Sequence, residues 1–275
     1  MEYPVEREKK VGFVDSHFHA DILHHVAPKD FGFYERAGAG ISWSYVHEPD
    51  AWDVYPSYFD ALGALAQSTT RKDFPLYYLV GVHPRSLPPK NSPRGGAKSF
   101  LWSSLATHVT NPLCRGLGEL GLETGSPREV SILKEQLVWA ASFLPLDKRI
   151  GIHTPRADKA RITAVILDLL KEVPALQPRI VIDHVCGENL EMVMDSGMMM
   201  GMTMQEGKMT VTMLLGILEK YPDLEDRIMI NSDSALEIAS DYQRFVAQDD
   251  AWEISCELHT KLVRDTACAF WGLQM

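Results

Sequence analysis

The chain has 275 residues, 45% hydrophobic and 23% charged, with 27 basic and 37 acidic side chains giving a net charge of −10. Such a composition fits a globular protein with a substantial core, and the acidic balance argues against a long footprint on duplex DNA, which needs many Lys and Arg to displace counterions. No apolar run reaches bilayer length, the amino-terminal "MEYPVEREKK" is charged, and Cys114, Cys186, Cys256 and Cys268 show no paired spacing, so a cytoplasmic protein with free thiols is expected.

Along the chain, β-like runs recur at 11–15, 40–46, 76–82, 113–118, 149–153, 179–184, 198–204 and 227–232, eight in all. Helical patterns lie between them. "SPRE" at 126–129 is a capping box with Pro127 at the first helical position, opening a helix to about Leu144. Ile162, Val165, Ile166, Leu169 and Leu170 form a 3.6-residue stripe, "TVTMLLGILEKY" supplies another helix, and the last 25 residues read as helical. Eight strands alternating with helices predict an α/β fold, a TIM-type (β/α)8 barrel, as a single domain over 1–275. An open doubly wound sheet is the alternative, but the glycine fingerprint of its dinucleotide-binding form is missing.

Three stretches carry further expectations. The Pro- and Gly-rich 85–96 reads as a long loop after the third strand. The aromatics of 43–58 are expected either to wall a substrate pocket or to pack on the barrel rim. Nine of the twelve methionines fall between 192 and 213, where they read as adaptable packing.

The chemistry-bearing residues stand where strands end, the place at which such barrels carry their sites. Asp15, His17 and His19 alternate, so in a regular strand all three share one face. The 10 histidines of the chain make a chance His-x-His pair unsurprising, so this motif alone decides little. Glu119 closes the fourth run, His153 the fifth, His184 the sixth and Asp233 the eighth. Six nitrogen and oxygen ligands gathered at one barrel end form a candidate divalent-metal site. By default, Lys208, His24 and His25 are expected to be solvated, His108 and His259 to lie on helix surfaces, and His47 is left open.

At this point the sequence resembles the TatD family of metal-dependent hydrolases, within the amidohydrolase-like superfamily. The matching pieces are "FVDSHFHAD", "VGVHP", "GLGELGLE", "IHTPR", "VIDH" and "NSDSA", in the family's order over residues 11 to 235. The resemblance implies that His17 and His19 bind a first divalent ion, Glu119 bridges two, and His153 and His184 bind the second. It implies that Asp233 ligates the first ion and orients or deprotonates the attacking water, making Asp233 and Glu119 the catalytic pair. Arg156 matches an arginine that contacts substrate phosphate, and His83 a position lining the active site. The sequence departs from the family pattern at Glu123 and Thr124, at the inserted Pro155, in "DHVCGEN" and in "NSDSA", all around the ligand positions.

The expected activity is therefore that of a hydrolase with two divalent ions (zinc, manganese or magnesium), cleaving a phosphodiester or phosphomonoester, with 3′–5′ exonuclease-like action on DNA among its forms. The expected substrate is small and anionic or phosphate-containing, or else single-stranded or terminal DNA. Two alternatives stay open: hydrolysis of an amide, ester or lactone by the same centre, and a noncatalytic metal-binding scaffold.

Overall fold

The structure is a computed structural model that describes residues 12–34, 38–70, 74–90, 98–247 and 252–274. The amino-terminal ten residues, Val11 of the first predicted strand and 91–96 of the predicted loop lie outside the described residues.

All eight predicted strands form: β1 (Phe13–Phe18), β2 (Gly38–Ser42), β3 (Leu76–Val80), β4 (Cys114–Gly121), β5 (Arg149–His153), β6 (Ile180–Ile182), β7 (Met199–Thr203) and β8 (Ile228–Asn231). They pair in sequence order, every pair parallel, as crossover helices require. The seam between β8 and β1 is joined at its carboxyl end, where Asp233 N donates to His17 O at 3.0 Å and His19 N to Ser234 O at 2.8 Å. The result is a nearly closed (β/α)8 barrel, as the alternation of elements predicts.

Both faces of each strand are buried, which is why the runs read as continuously apolar rather than alternating. Val14, Ile41, Leu79, Val181 and Met229 point into the barrel, while Phe13, Tyr78, Val80, Ile182 and Ile230 pack against the outer helices. The methionines of β7 and its flanks behave as packing, with Met200, Met202, Met204 and Met209 fully buried in the outer layer.

The helix Pro127–Phe143 opens as the capping box predicts, with Ser126 Oγ accepting from Glu129 N at 3.4 Å. The Glu129 carboxylate accepts from the backbone N–H groups of Glu123 and Thr124, both at 2.8 Å, and of Gly125 at 3.1 Å, and so fixes the loop that carries Glu123. The carboxyl-terminal helices plug the barrel's amino end with Ala267, Phe270, Trp271 and Leu273. Above that plug Trp43 lies across the interior, its ring centroid 6.1 Å from that of Trp271. Gly151 makes room for it, since a Cβ there would stand 2.3 Å from the Trp43 indole.

One expectation fails at β1. The register against β2 shifts between Asp15 and Phe18, and this irregularity breaks the alternation. His17 stacks on Trp43 inside the barrel, but Asp15 faces the outer layer, where it accepts from Tyr34 Oη at 2.7 Å, Ser232 Oγ at 2.6 Å and Ser232 N at 3.1 Å. Asp15 thus helps to lock the β8–β1 seam. Burial pushes its pKa up to about 6 against these hydrogen bonds.

Candidate metal centre

The six predicted ligands meet at the carboxyl end of the barrel, around the buried Glu119 carboxylate. Its Oε2 lies 3.4 Å from His17 Nε2 and 3.7 Å from His19 Nε2. Its Oε1 lies 2.7 Å from His153 Nδ1 and 3.5 Å from His184 Nε2. Each oxygen therefore faces a different pair of imidazoles. Asp233 Oδ1 completes the first group, 3.3 Å from His19 Nε2 and 3.6 Å from His17 Nε2.

Local backbone geometry brings the last two side chains inward. Val181 points into the barrel and Ile182 out, so Asp183 points in and His184 in a regular strand would point out. His184 instead adopts a φ of 56°, which turns its ring back to the centre, and Asp233 does the same at 46°. The left-handed region is uncommon for residues other than glycine, although Asp and His are enriched there.

A polar network sets which imidazole nitrogens are free. His184 Nδ1 meets Thr203 Oγ1 at 2.8 Å, and that hydroxyl donates to Asn231 Oδ1 at 2.9 Å. Asn231 Nδ2 donates to Asp183 Oδ1 at 2.8 Å, and Asp183 Oδ2 accepts from His17 Nδ1. Because the hydroxyl proton is committed to Asn231, His184 must donate through Nδ1; a carboxylate asks the same of His17. His19 Nδ1 faces the Trp43 carbonyl at 3.0 Å, which only accepts. All three rings therefore present a bare Nε2 to the centre. His153 uses its nitrogens the other way, with Nε2 held by Glu123 at 2.8 Å and Nδ1 inward.

His17 Nε2 is buried and, among the described residues, has no hydrogen-bond partner. A lone pair so placed, between two carboxylates, suits a cation. Among the described residues, three groups of donors are close enough to share an ion: His17 with His19 and Asp233, His83 with Glu119 and His153, and His17 with Asp183 and His184. Charge favours the same conclusion. Burial opposes ionisation of Glu119 and Asp233, yet the surrounding imidazoles hold both well below the usual carboxylate range. Asp183, likewise against burial, is drawn down to about 2 by His184 and His17. Burial also opposes a proton on His17, but Glu119 and Asp183 raise its pKa well above the ordinary value, so in metal-free protein a proton takes the place at Nε2 that a metal ion would fill.

His83 is buried with Nε2 3.6 Å from Glu119 Oε1, and burial lowers its pKa to about 4. Its Nδ1 accepts from Arg85 N at 3.0 Å, so the neutral ring carries its proton on Nε2 and acts there as a donor. Gln136 positions this segment by bonding both Val82 N at 2.8 Å and Val82 O at 3.2 Å.

Above the centre opens a cavity of about 920 Å³, lined by Tyr45, His83, Arg156, Lys159, Lys208 and Glu237 among others. Arg156 lines it from an exposed position. The aromatic stretch divides: Trp43 floors the site and Tyr45 walls the cavity, whereas Tyr55 is packed in the outer layer and Tyr58 Oη bonds Asp21 at 3.0 Å. His47 lines the cavity, and His24 and His25 are exposed.

Three default expectations are corrected. Lys208 is not simply solvated, because its ammonium pairs with Asp233 Oδ2. His108 is buried against Tyr78 Oη at 3.0 Å, and His259 against the Phe245 carbonyl at 2.7 Å. Sequence reading also passed over Asp183, Thr203, Asn231 and Lys159. Two of them stood inside quoted motifs, Asp183 in "VIDH" and Asn231 in "NSDSA", whereas Thr203 and Lys159 gave no signal.

No protein-family model matches the chain. An uncharacterized metal-dependent hydrolase of Methanocaldococcus jannaschii is 26% identical over 213 residues, covering 76% of this chain and 79% of that protein. Among solved structures, the TatD-like protein of Archaeoglobus fulgidus matches with a TM-score of 0.71 at 24% identity, over 95% of this chain and 100% of that one. The 5-methylcytosine deaminase of Klebsiella pneumoniae, liganded with phosphonocytosine, matches with a TM-score of 0.55 at 11% identity, over 94% and 74% of the two chains, which shows a shared barrel alone. The chain thus shares its barrel with a TatD-like protein and is similar in sequence to a metal-dependent hydrolase, in keeping with the resemblance to TatD-type metal-dependent hydrolases.

Proposed function

We propose that the protein is a divalent-metal-dependent hydrolase of phosphoesters, in which His17, His19 and Asp233 hold one ion, His153 and His184 hold a second, and Glu119 lies between them. The observation that carries this reading is the buried Nε2 of His17, without a hydrogen-bond partner among the described residues and fixed facing two carboxylates. Four imidazoles in the donor set favour zinc or manganese over magnesium. A divalent ion held there would lower the pKa of a water from 15.7 to about 7 and polarise a substrate oxygen.

The chain's own groups supply the rest. Asp233 turns Oδ1 to the imidazoles and keeps Oδ2 on Lys208, an arrangement that orients the attacking water and takes its proton. Glu119 holds the two halves of the centre in register. His83 offers its Nε2–H to Glu119 or to a substrate oxygen. Arg85, Arg156, Lys159 and Lys208 line the cavity against Glu188, Glu206 and Glu237 outside the ligand set, and this excess of cationic side chains favours an anionic phosphoester over a neutral lactone or amide. With the acidic overall charge, this suits a small phosphoester or a DNA strand end rather than duplex DNA.

The test is a metal-supplemented assay of phosphomonoesters, phosphodiesters, single-stranded DNA and lactones. Phosphoester turnover that is lost on chelation and restored by manganese or zinc is expected. Turnover of lactones alone, or activity that survives exhaustive chelation, refutes the proposal.

A further inference from the structure

We infer that Lys159, together with Lys208, anchors the anionic group of the substrate beside the metal centre. This deepens the phosphoester reading and rests on it.

Lys159 begins the helix Lys159–Lys171, and although it carries a full charge in water it is 8% exposed here. Its ammonium donates to the His184 carbonyl and to Thr154 Oγ1, each at 3.0 Å. Both partners are neutral. Among the described residues no carboxylate is in contact with it; Asp183 and Glu188 act on it only at longer range. A buried ammonium is tolerated when an anion accompanies it, and this one borders the open cavity. The missing counter-charge is on the side from which substrate enters.

Lys208 is delivered to the same cavity by a tight turn. Lys208 N donates to Gln205 O at 2.9 Å, Gly207 supplies the left-handed φ of 78°, and the fully buried Met204 and Met209 pair across the base. The turn is thus fixed at its root by core residues, and its lysine reaches Asp233 rather than trailing in solvent. The two ammonium groups border the same cavity, where like charges repel one another. An oxyanion between them relieves that repulsion and pairs the charge on Lys159 at once. Arg156, three residues before Lys159, is exposed at the rim and is placed to meet the substrate on entry.

Lys159 and Lys208 touch a candidate ligand residue each, so the test follows metal content and anion binding as well as turnover. Metal-loaded wild-type protein and the variants Lys159→Met, Lys159→Arg and Lys208→Met are titrated with orthophosphate by calorimetry, with bound metal measured in each. Lys159→Met is expected to weaken orthophosphate binding at least about tenfold, the scale of a lost charge-assisted hydrogen bond. Lys208→Met should weaken it several-fold, and Lys159→Arg should retain most of it. For hydrolysed phosphoesters KM should rise more than kcat falls. An orthophosphate Kd within about twofold of wild type in Met variants that hold their metal overturns the inference. If Lys159→Met loses metal through His184, Lys208→Met decides alone by the same criterion. Wild-type protein that binds orthophosphate through these lysines yet cleaves no phosphoester supports the anchor and refutes the proposed reaction. Phosphoester cleavage with unchanged KM and Kd in both Met variants does the reverse.

Discussion

The two ends of the barrel are built from the same strands and do opposite work. At the amino end Val181 and Met229 point inward onto a plug containing Phe270 and Trp271. Two residues further along, the next inward positions are Asp183 and Asn231, members of the network that orients His17 and His184. One step of the β period converts a sealed apolar interior into a polar one. The apolar end excludes water from below and keeps the dielectric low, which strengthens every charge interaction above it. The polar end carries the costs: buried charges, and left-handed backbone at His184 and Asp233 of about 1–3 kcal/mol each.

Substitutions at the two ends should therefore separate activity from stability. Glu119→Gln removes the charge facing both imidazole pairs, and turnover should fall on the order of a thousandfold with little loss of folding stability; steady-state assays alongside thermal melts check this. Trp271→Ala should do the opposite, costing about 3 kcal/mol or more in denaturant unfolding, while activity per folded molecule stays within a few-fold.

A pH series sharpens the contrast. His83 titrates at about 4 in the folded state against 6.5 when exposed, so the unfolded chain takes up its proton first on acidification. Its contribution is present above pH 6.5 and lost as pH falls towards 4, about 3 kcal/mol in total. In metal-free protein, urea unfolding should show that loss, and His83→Gln should flatten it. An equally steep profile in the variant would assign the acid sensitivity elsewhere.

Smaller effects are expected from groups that touch the ligands only from behind. Asp183→Asn weakens the hold on His17 Nδ1 and should lower metal affinity about 10- to 100-fold in chelator competition. Trp271→Phe should be the mildest change, under about 1.5 kcal/mol, because the buried indole Nε1 has no partner among the described residues and its removal leaves none of them unpaired.

Much of this was legible in the chain itself. Runs such as "RIGIH" and "RIVIDH" announce strands buried on both faces, and the residues that end them are those that converge. What escaped were features that depend on local departures from regular backbone. The irregularity in β1 brings His17 inward while Asp15, next to the inward Val14, faces outward, although strict alternation puts the two on one face. The left-handed residue His184 lets two adjacent residues, Asp183 and His184, share the interior, which no regular strand allows. Lys208 looks like a loop lysine until the pairing of Met204 with Met209 fixes its turn. His108 and His259 are buried because Tyr78 and the Phe245 carbonyl wait for them, and such partners are invisible in sequence spacing.

The central claim is that Glu119 and its surrounding imidazoles form a cation site. Metal analysis after loading with manganese or zinc and extensive dialysis tests it most directly, in wild type and in Glu119→Gln. Two ions per wild-type chain and a clear loss of metal in the variant are predicted. A wild-type protein that retains no metal, or a Glu119→Gln variant that retains as much as wild type, would contradict the account.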